Sequence, residues 1–113
     1  MKVKTKYYNS VLVVAPAGEL DHHTAAELKS AMETELAKGI ARDIVLDLRH
    51  LSFMDSSGLG VVLGRYKQLA RWQGRMVAFG LQPAVEKVYK LSGLPKLIPV
   101  HPDLDTCLDS LGG

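Results

Sequence analysis

The chain has 113 residues, of which 47% are apolar and 23% charged, and its 14 basic and 12 acidic residues leave a formal net charge of +2. That length supports one core-forming domain, expected to span residues 1–113. No basic block exceeds two residues, which argues against a nucleic-acid footprint, and no apolar stretch approaches the roughly 20 residues that cross a bilayer.

The charged start, Met1-Lys2-Val3-Lys4-Thr5-Lys6, leads into no signal-type apolar segment, so a cytoplasmic protein is expected. Residues 2–8 and 10–17 read as two strands joined by a tight turn at Asn9-Ser10, the second nearly all apolar and therefore central, ended by Pro16 and Gly18. A helix is predicted from Asp21 to Lys38 with Ala25, Leu28, Met32 and Leu36 on one face. Asp21 is a candidate cap, and Thr24 with Glu27 has capping-box spacing. Residues 43–48 read as a strand buried on both sides.

The next helix is predicted over Ser57–Gln73. Leu59, Val62, Leu63, Tyr66, Leu69 and Ala70 are expected to face the core, and Arg65, Lys67 and Arg71 the solvent. Met76–Phe79 is a strand, and Pro83 opens a helix with Val85, Val88 and Tyr89 inward. Leu97-Ile98-Pro99-Val100 reads as an edge strand, since Pro99 lacks a ladder N–H. A last helix, Asp103–Leu111, buries Leu104, Cys107, Leu108 and Leu111. The single cysteine excludes an internal disulfide and fits a reducing compartment. This alternation predicts an α/β fold with a mixed, mostly parallel sheet of four to five strands and about four helices.

Ligands of such sheets collect where strands end and helices begin. Two such loops carry chemistry: Asp21-His22-His23-Thr24 and Met54-Asp55-Ser56-Ser57-Gly58-Leu59-Gly60. Their adjacency does not follow from periodicity. The second places two hydroxyls at a helix start, where unpaired N–H groups and the positive end of the dipole point outward. A hydroxyl there is a cap, a nucleophile or a phosphorylation site. A hydrolase elbow requires Gly-x-Ser-x-Gly, whereas this chain has Asp-Ser-Ser-Gly-Leu-Gly. Nucleotide or small-anion binding at Gly58–Gly60 has neither a Gly-Lys-Ser/Thr ending nor Gly-x-Gly-x-x-Gly behind it, and tight packing of Gly58 and Gly60 on the sheet is the plainer account. His22 and His23 are neighbours, His50 and His101 are isolated, and no spacing matches a metal site. No cofactor is expected. Capping and phosphorylation remain open on the residues alone. A phosphate here would add about −1.5 to −2 charges and repel a docked partner while leaving the helix formed.

Four segments together carry a resemblance: Gly18-Glu19-Leu20-Asp21-His22-His23-Thr24, Leu51–Gly60, Leu63-Gly64-Arg65-Tyr66-Lys67 and Leu91-Ser92-Gly93-Leu94. The chain resembles the anti-sigma factor antagonist family, the STAS domains, and within it the branch acting in sporulation. The resemblance implies a single STAS-type domain that is a regulator with no catalytic residues. Its unphosphorylated form would bind an anti-sigma factor that is also a serine kinase, releasing a sporulation sigma factor. Phosphorylation of the serine after the motif aspartate, Ser56 here, would inactivate it, and a serine phosphatase would restore it. Ser57 would be the neighbouring cap or structural residue. The resemblance also implies that Asp21, His22, His23 and Thr24 join Asp55, Ser56, Ser57, Gly58, Leu59 and Gly60 in the partner-binding face. No direct nucleic-acid or membrane partner is implied, and a free monomer is expected. The alternative is a STAS-type sensory module binding a nucleotide or small anion at Gly58–Gly60.

Overall fold

The computed structural model describes residues 1–112. In chain order it forms β1 (Lys2–Tyr8), β2 (Val11–Leu20), α1 (Ala25–Leu36), β3 (Asp43–Asp47), β4 (Leu51–Met54), α2 (Ser56–Ala70), β5 (Met76–Phe79), α3 (Pro83–Leu91), a 3-10 turn (Leu94–Lys96), β6 (Val100–His101) and α4 (Leu104–Gly112). The sheet runs β1-β2-β3-β5-β6, with β4 attached to β2. Only β1–β2 is antiparallel; the other pairs are parallel. The α/β class, the mixed and mostly parallel sheet and the four helices match expectation. The strand that periodicity did not reveal is β4. It has four residues, buried only at its ends, Leu51 and Met54, so no alternation marks it.

β2 runs through Pro16 and Gly18 rather than stopping there. Its first part pairs with β3 through Val14, and its last part pairs with β4 from Gly18 onward. Pro16 lies in the gap between these ladders, where its missing N–H interrupts neither. Gly18 takes φ +110 beside the register shift into β4, a backbone conformation that side chains resist.

One sheet face packs α1, α2 and α3 over Leu12, Val14, Ile44, Leu46 and Met76, with Leu28, Met32, Val62, Leu69, Val85 and Tyr89 from the helices. The other face buries Val11, Val13, Val45, Val77 and Phe79 beneath Cys107 and Leu111 of α4. Burial and the nearby Asp103 and Asp47 carboxylates push the Cys107 thiol up to about 11, so it stays protonated and behaves as a core residue.

One inward and one outward assignment on α2 change. Ala70 is exposed rather than buried. Arg65 is not a solvated residue: its side chain is only 12% exposed and meets Glu33 of α1 at 3.4 Å. Its Nε and Nη1 are buried with no hydrogen-bond partner. Lys67 and Arg71 are exposed as predicted. The last strand is shifted as well. The 3-10 turn takes Leu94–Lys96 and Ile98 is fully buried, so pairing starts only at Val100. The Tyr89 hydroxyl donates to the Ile98 carbonyl and the Pro99 carbonyl accepts from Ala78, which anchors this short edge.

Candidate functional site

The two chemistry-bearing loops leave the sheet side by side. Leu20 and Met54 are the last paired residues of β2 and β4. The Asp55 N–H then donates to the Leu20 carbonyl at 3.2 Å. Both chains run parallel here, so both loops emerge at the same, carboxyl-terminal end of their strands. Three elements, α1, β3 and β4, separate them in sequence, which is why adjacency was not legible in the chain.

Asp55, not Ser57, caps α2. Its Oδ1 accepts the Ser57 N–H at 2.9 Å and the Gly58 N–H at 3.3 Å. The helix therefore starts at Ser56, one residue before the predicted start, and leaves the Ser56 side chain exposed. Asp55→Ala is expected to cost about 1 kcal/mol of folding stability in urea denaturation, the usual worth of such a cap. Ser56→Ala is expected to change stability by less than about 0.5 kcal/mol. Equal losses in the two variants would contradict this division of roles.

The neighbouring loop is held by a second aspartate. Asp21 Oδ1 accepts the N–H groups of His23 at 2.9 Å and Thr24 at 3.1 Å. The Thr24 hydroxyl accepts from the Asp21 N–H at 3.0 Å and donates to the Glu19 carbonyl at 2.7 Å. Desolvation raises the Asp21 carboxyl, but the bonds from His23 and Thr24 outweigh it and hold the group below its ordinary value. The Thr24–Glu27 capping box does not form, because the Glu27 carboxylate instead meets the Met1 ammonium at 2.9 Å. His22 and His23 are exposed, with ring centroids 3.9 Å apart.

Gly58 and Gly60 differ. A Cβ on Gly58 would lie 2.6 Å from Leu20 Cγ and 2.9 Å from Met54 Cγ, so the absent side chain lets α2 sit on the ends of β2 and β4. Gly60 is exposed and a Cβ there meets nothing within 4 Å. The packing account thus holds for Gly58 and not for Gly60. Leu59 is half-buried against the main core. Phe53, 43% exposed and two residues before Asp55, is a site neighbour that the sequence reading left out. Its signal was an aromatic residue standing between Ser52 and Met54 at a strand end.

A free anion at Gly58–Gly60 is not favoured, because the Asp55 carboxylate already occupies the N–H groups that would receive it. Among the described residues no three His, Cys, Asp or Glu side chains gather as a metal site. Among those residues, too, no helix is long and apolar enough to cross a membrane.

A model of the STAS domain matches residues 2–107. The chain belongs to the STAS domain family. This STAS domain is 39% identical over 101 residues to an anti-sigma F factor antagonist of Paenibacillus polymyxa, covering 89% of this chain and 86% of that protein. It superposes on the anti-sigma factor antagonist SpoIIAA in its unphosphorylated form with a TM-score of 0.85 at 31% identity, covering 99% of this chain and 97% of the other. The phosphorylated form of the Bacillus cell fate determinant SpoIIAA superposes with a TM-score of 0.75 at 30% identity, covering 96% of this chain and 98% of the other.

Proposed function

We propose that this STAS domain is an anti-sigma factor antagonist switched by phosphorylation of Ser56. Unphosphorylated, it binds an anti-sigma factor that is also a serine kinase, and so frees a sporulation sigma factor of the sigma F type. The kinase transfers a phosphoryl group from ATP to the Ser56 hydroxyl, which ends binding, and a serine phosphatase reverses it. The domain acts as a substrate and a binding partner in the cytoplasm and supplies no catalytic group.

One observation carries this reading: Ser56 is the exposed first residue of α2, directly after an aspartate whose carboxylate already satisfies the next two N–H groups. A phosphate on Ser56 finds those donors occupied and a like charge beside it. It therefore projects toward solvent, where it meets an arriving partner rather than folding back on the helix. Asp21, His22, His23 and Thr24 stand beside it and extend the docking face, together with Asp55, Ser57, Gly58, Leu59, Gly60 and the exposed Phe53 ring. The existence of SpoIIAA in unphosphorylated and phosphorylated forms, both superposable on this chain, supports the same reading.

Incubation with the purified anti-sigma factor kinase and ATP, followed by peptide mass spectrometry, tests it. One phosphate on Ser56, absent from Ser56→Ala, is the expected result. Phosphate on Ser57 alone, or on neither serine, would overturn the assignment.

A further inference from the structure

A second surface lies away from Ser56 and does not depend on its role. α4 packs on β3, β5 and β6 and over Val11 and Val13 of β2, and leaves the Lys2–Lys6 stretch of β1 open on that sheet face. Strand alternation sends Lys2, Lys4 and Lys6 to this open face, in line with Tyr8, which packs with the α4-side core. Val3 and Tyr7, at the intervening positions, pack on the α1 side. All three lysines are exposed. Lys2 and Lys4 line a groove of about 400 Å³ with Ala15, Ala17, Arg49 and His50, and Lys6 lines an adjoining groove that shares Lys4, Ala15 and Arg49.

The only carboxylate in the groove, Asp47, is already spent. It accepts from Arg49 Nε at 3.0 Å and Arg49 Nη2 at 2.8 Å. Desolvation raises Asp47, but Arg49 and the charge of His50 outweigh it and keep the carboxyl below its ordinary value. The patch thus holds four cations against one carboxylate in a chain of net charge +2, so the remaining surface is slightly acidic on balance. Beside this stripe, β1 is a free edge: among the described residues its seven positions pair with β2 alone. The spacing that hid the patch from a search for basic blocks is the spacing that gathers it on one face.

We propose that β1 receives an extended acidic segment of a partner protein as an added strand, with carboxylates at alternate positions facing Lys2, Lys4 and Lys6. Successive lysines on the stripe stand about 6.7 Å apart, the two-residue repeat of an extended peptide, so an i, i+2, i+4 acidic pattern meets each of them. The free edge supplies main-chain donors and acceptors, and the stripe supplies the selection. A second copy of this chain is a poor occupant. Antiparallel pairing of two β1 edges that keeps the faces matched sets lysines against lysines, which disfavours it.

The test is a titration of the 15N-labelled protein with a ten-residue peptide of five Thr-Glu repeats. A peptide of the same composition with its glutamates in one block, and a dT10 oligonucleotide, serve as comparisons. The alternating peptide is expected to shift the β1 amides and slow their exchange. Converting all three lysines to glutamine should weaken it at least about tenfold, and converting them to arginine should preserve it. Equal binding of the blocked peptide or the oligonucleotide without β1 protection would overturn the proposal in favour of general polyanion attraction. Absence of any β1 shift at millimolar alternating peptide would overturn it as well. So would dimerisation of the glutamine variant with no peptide binding by the native chain, since the lysines would then act only against self-pairing.

Discussion

Ser56→Asp is expected to bind the anti-sigma factor on the order of 100-fold more weakly than the native chain, whereas Ser56→Ala binds within about threefold of it. A hundredfold corresponds to about 2.7 kcal/mol, within the range for placing an unpaired charge in an interface. The carboxylate arrives next to that of Asp55, so docking would strip water from two like charges at once. The loss belongs to binding and not to folding. Ser56 is exposed, and an acidic residue in the first turn of a helix is favoured by the dipole. Calorimetric titration, with circular dichroism as the check on folding, reads both quantities. An Asp variant that binds as tightly as the native chain would remove charge as the basis of the switch.

The second large effect separates two glycines of one helix turn. Gly58→Val is expected to lower stability by about 3 kcal/mol, because overpacking of a closed core typically costs about 1–3 kcal/mol and a β-branched side chain has little freedom to escape. Its Cβ already overlaps Leu20 and Met54, both almost fully buried. Gly60→Ala should instead raise stability by about 0.5–1 kcal/mol, the propensity gain at an open helix position. Urea denaturation of the pair decides it, and equal effects at both positions would contradict the packing assigned to Gly58. Gly60→Trp adds the functional arm: a folded variant with reduced affinity for the anti-sigma factor places the partner on that open turn, and unchanged affinity removes it.

Most of the architecture was readable because periodicity and burial agreed. β3 is buried along its whole length, as its unbroken Ile44–Leu46 run demands, and α1 buries Leu28, Met32 and Leu36 on the predicted stripe. The misreadings share one cause, the neglect of partners distant in sequence. Pro16 ends a strand only if its missing N–H breaks a ladder, and here it stands opposite Val3 of β1 in the gap between the β3 and β4 ladders. Arg65 points to solvent only if no second helix lies across it, and α1 does. Glu27 completes a capping box only if nothing closer competes, and the Met1 ammonium does.

At the site the division is the same. Residue types and spacing alone established a capped helix start and an adjacent pair of serines, because N-capping, helix periodicity and glycine tolerance are local properties. Which aspartate caps, which serine is left in the open and which glycine is closed in were decided by the meeting of β2 and β4. That register brings Leu20 against Met54 and seats α2 on both. Parallel strands join residues far apart in the chain, so their register is set by burial of whole faces and not by any local signal.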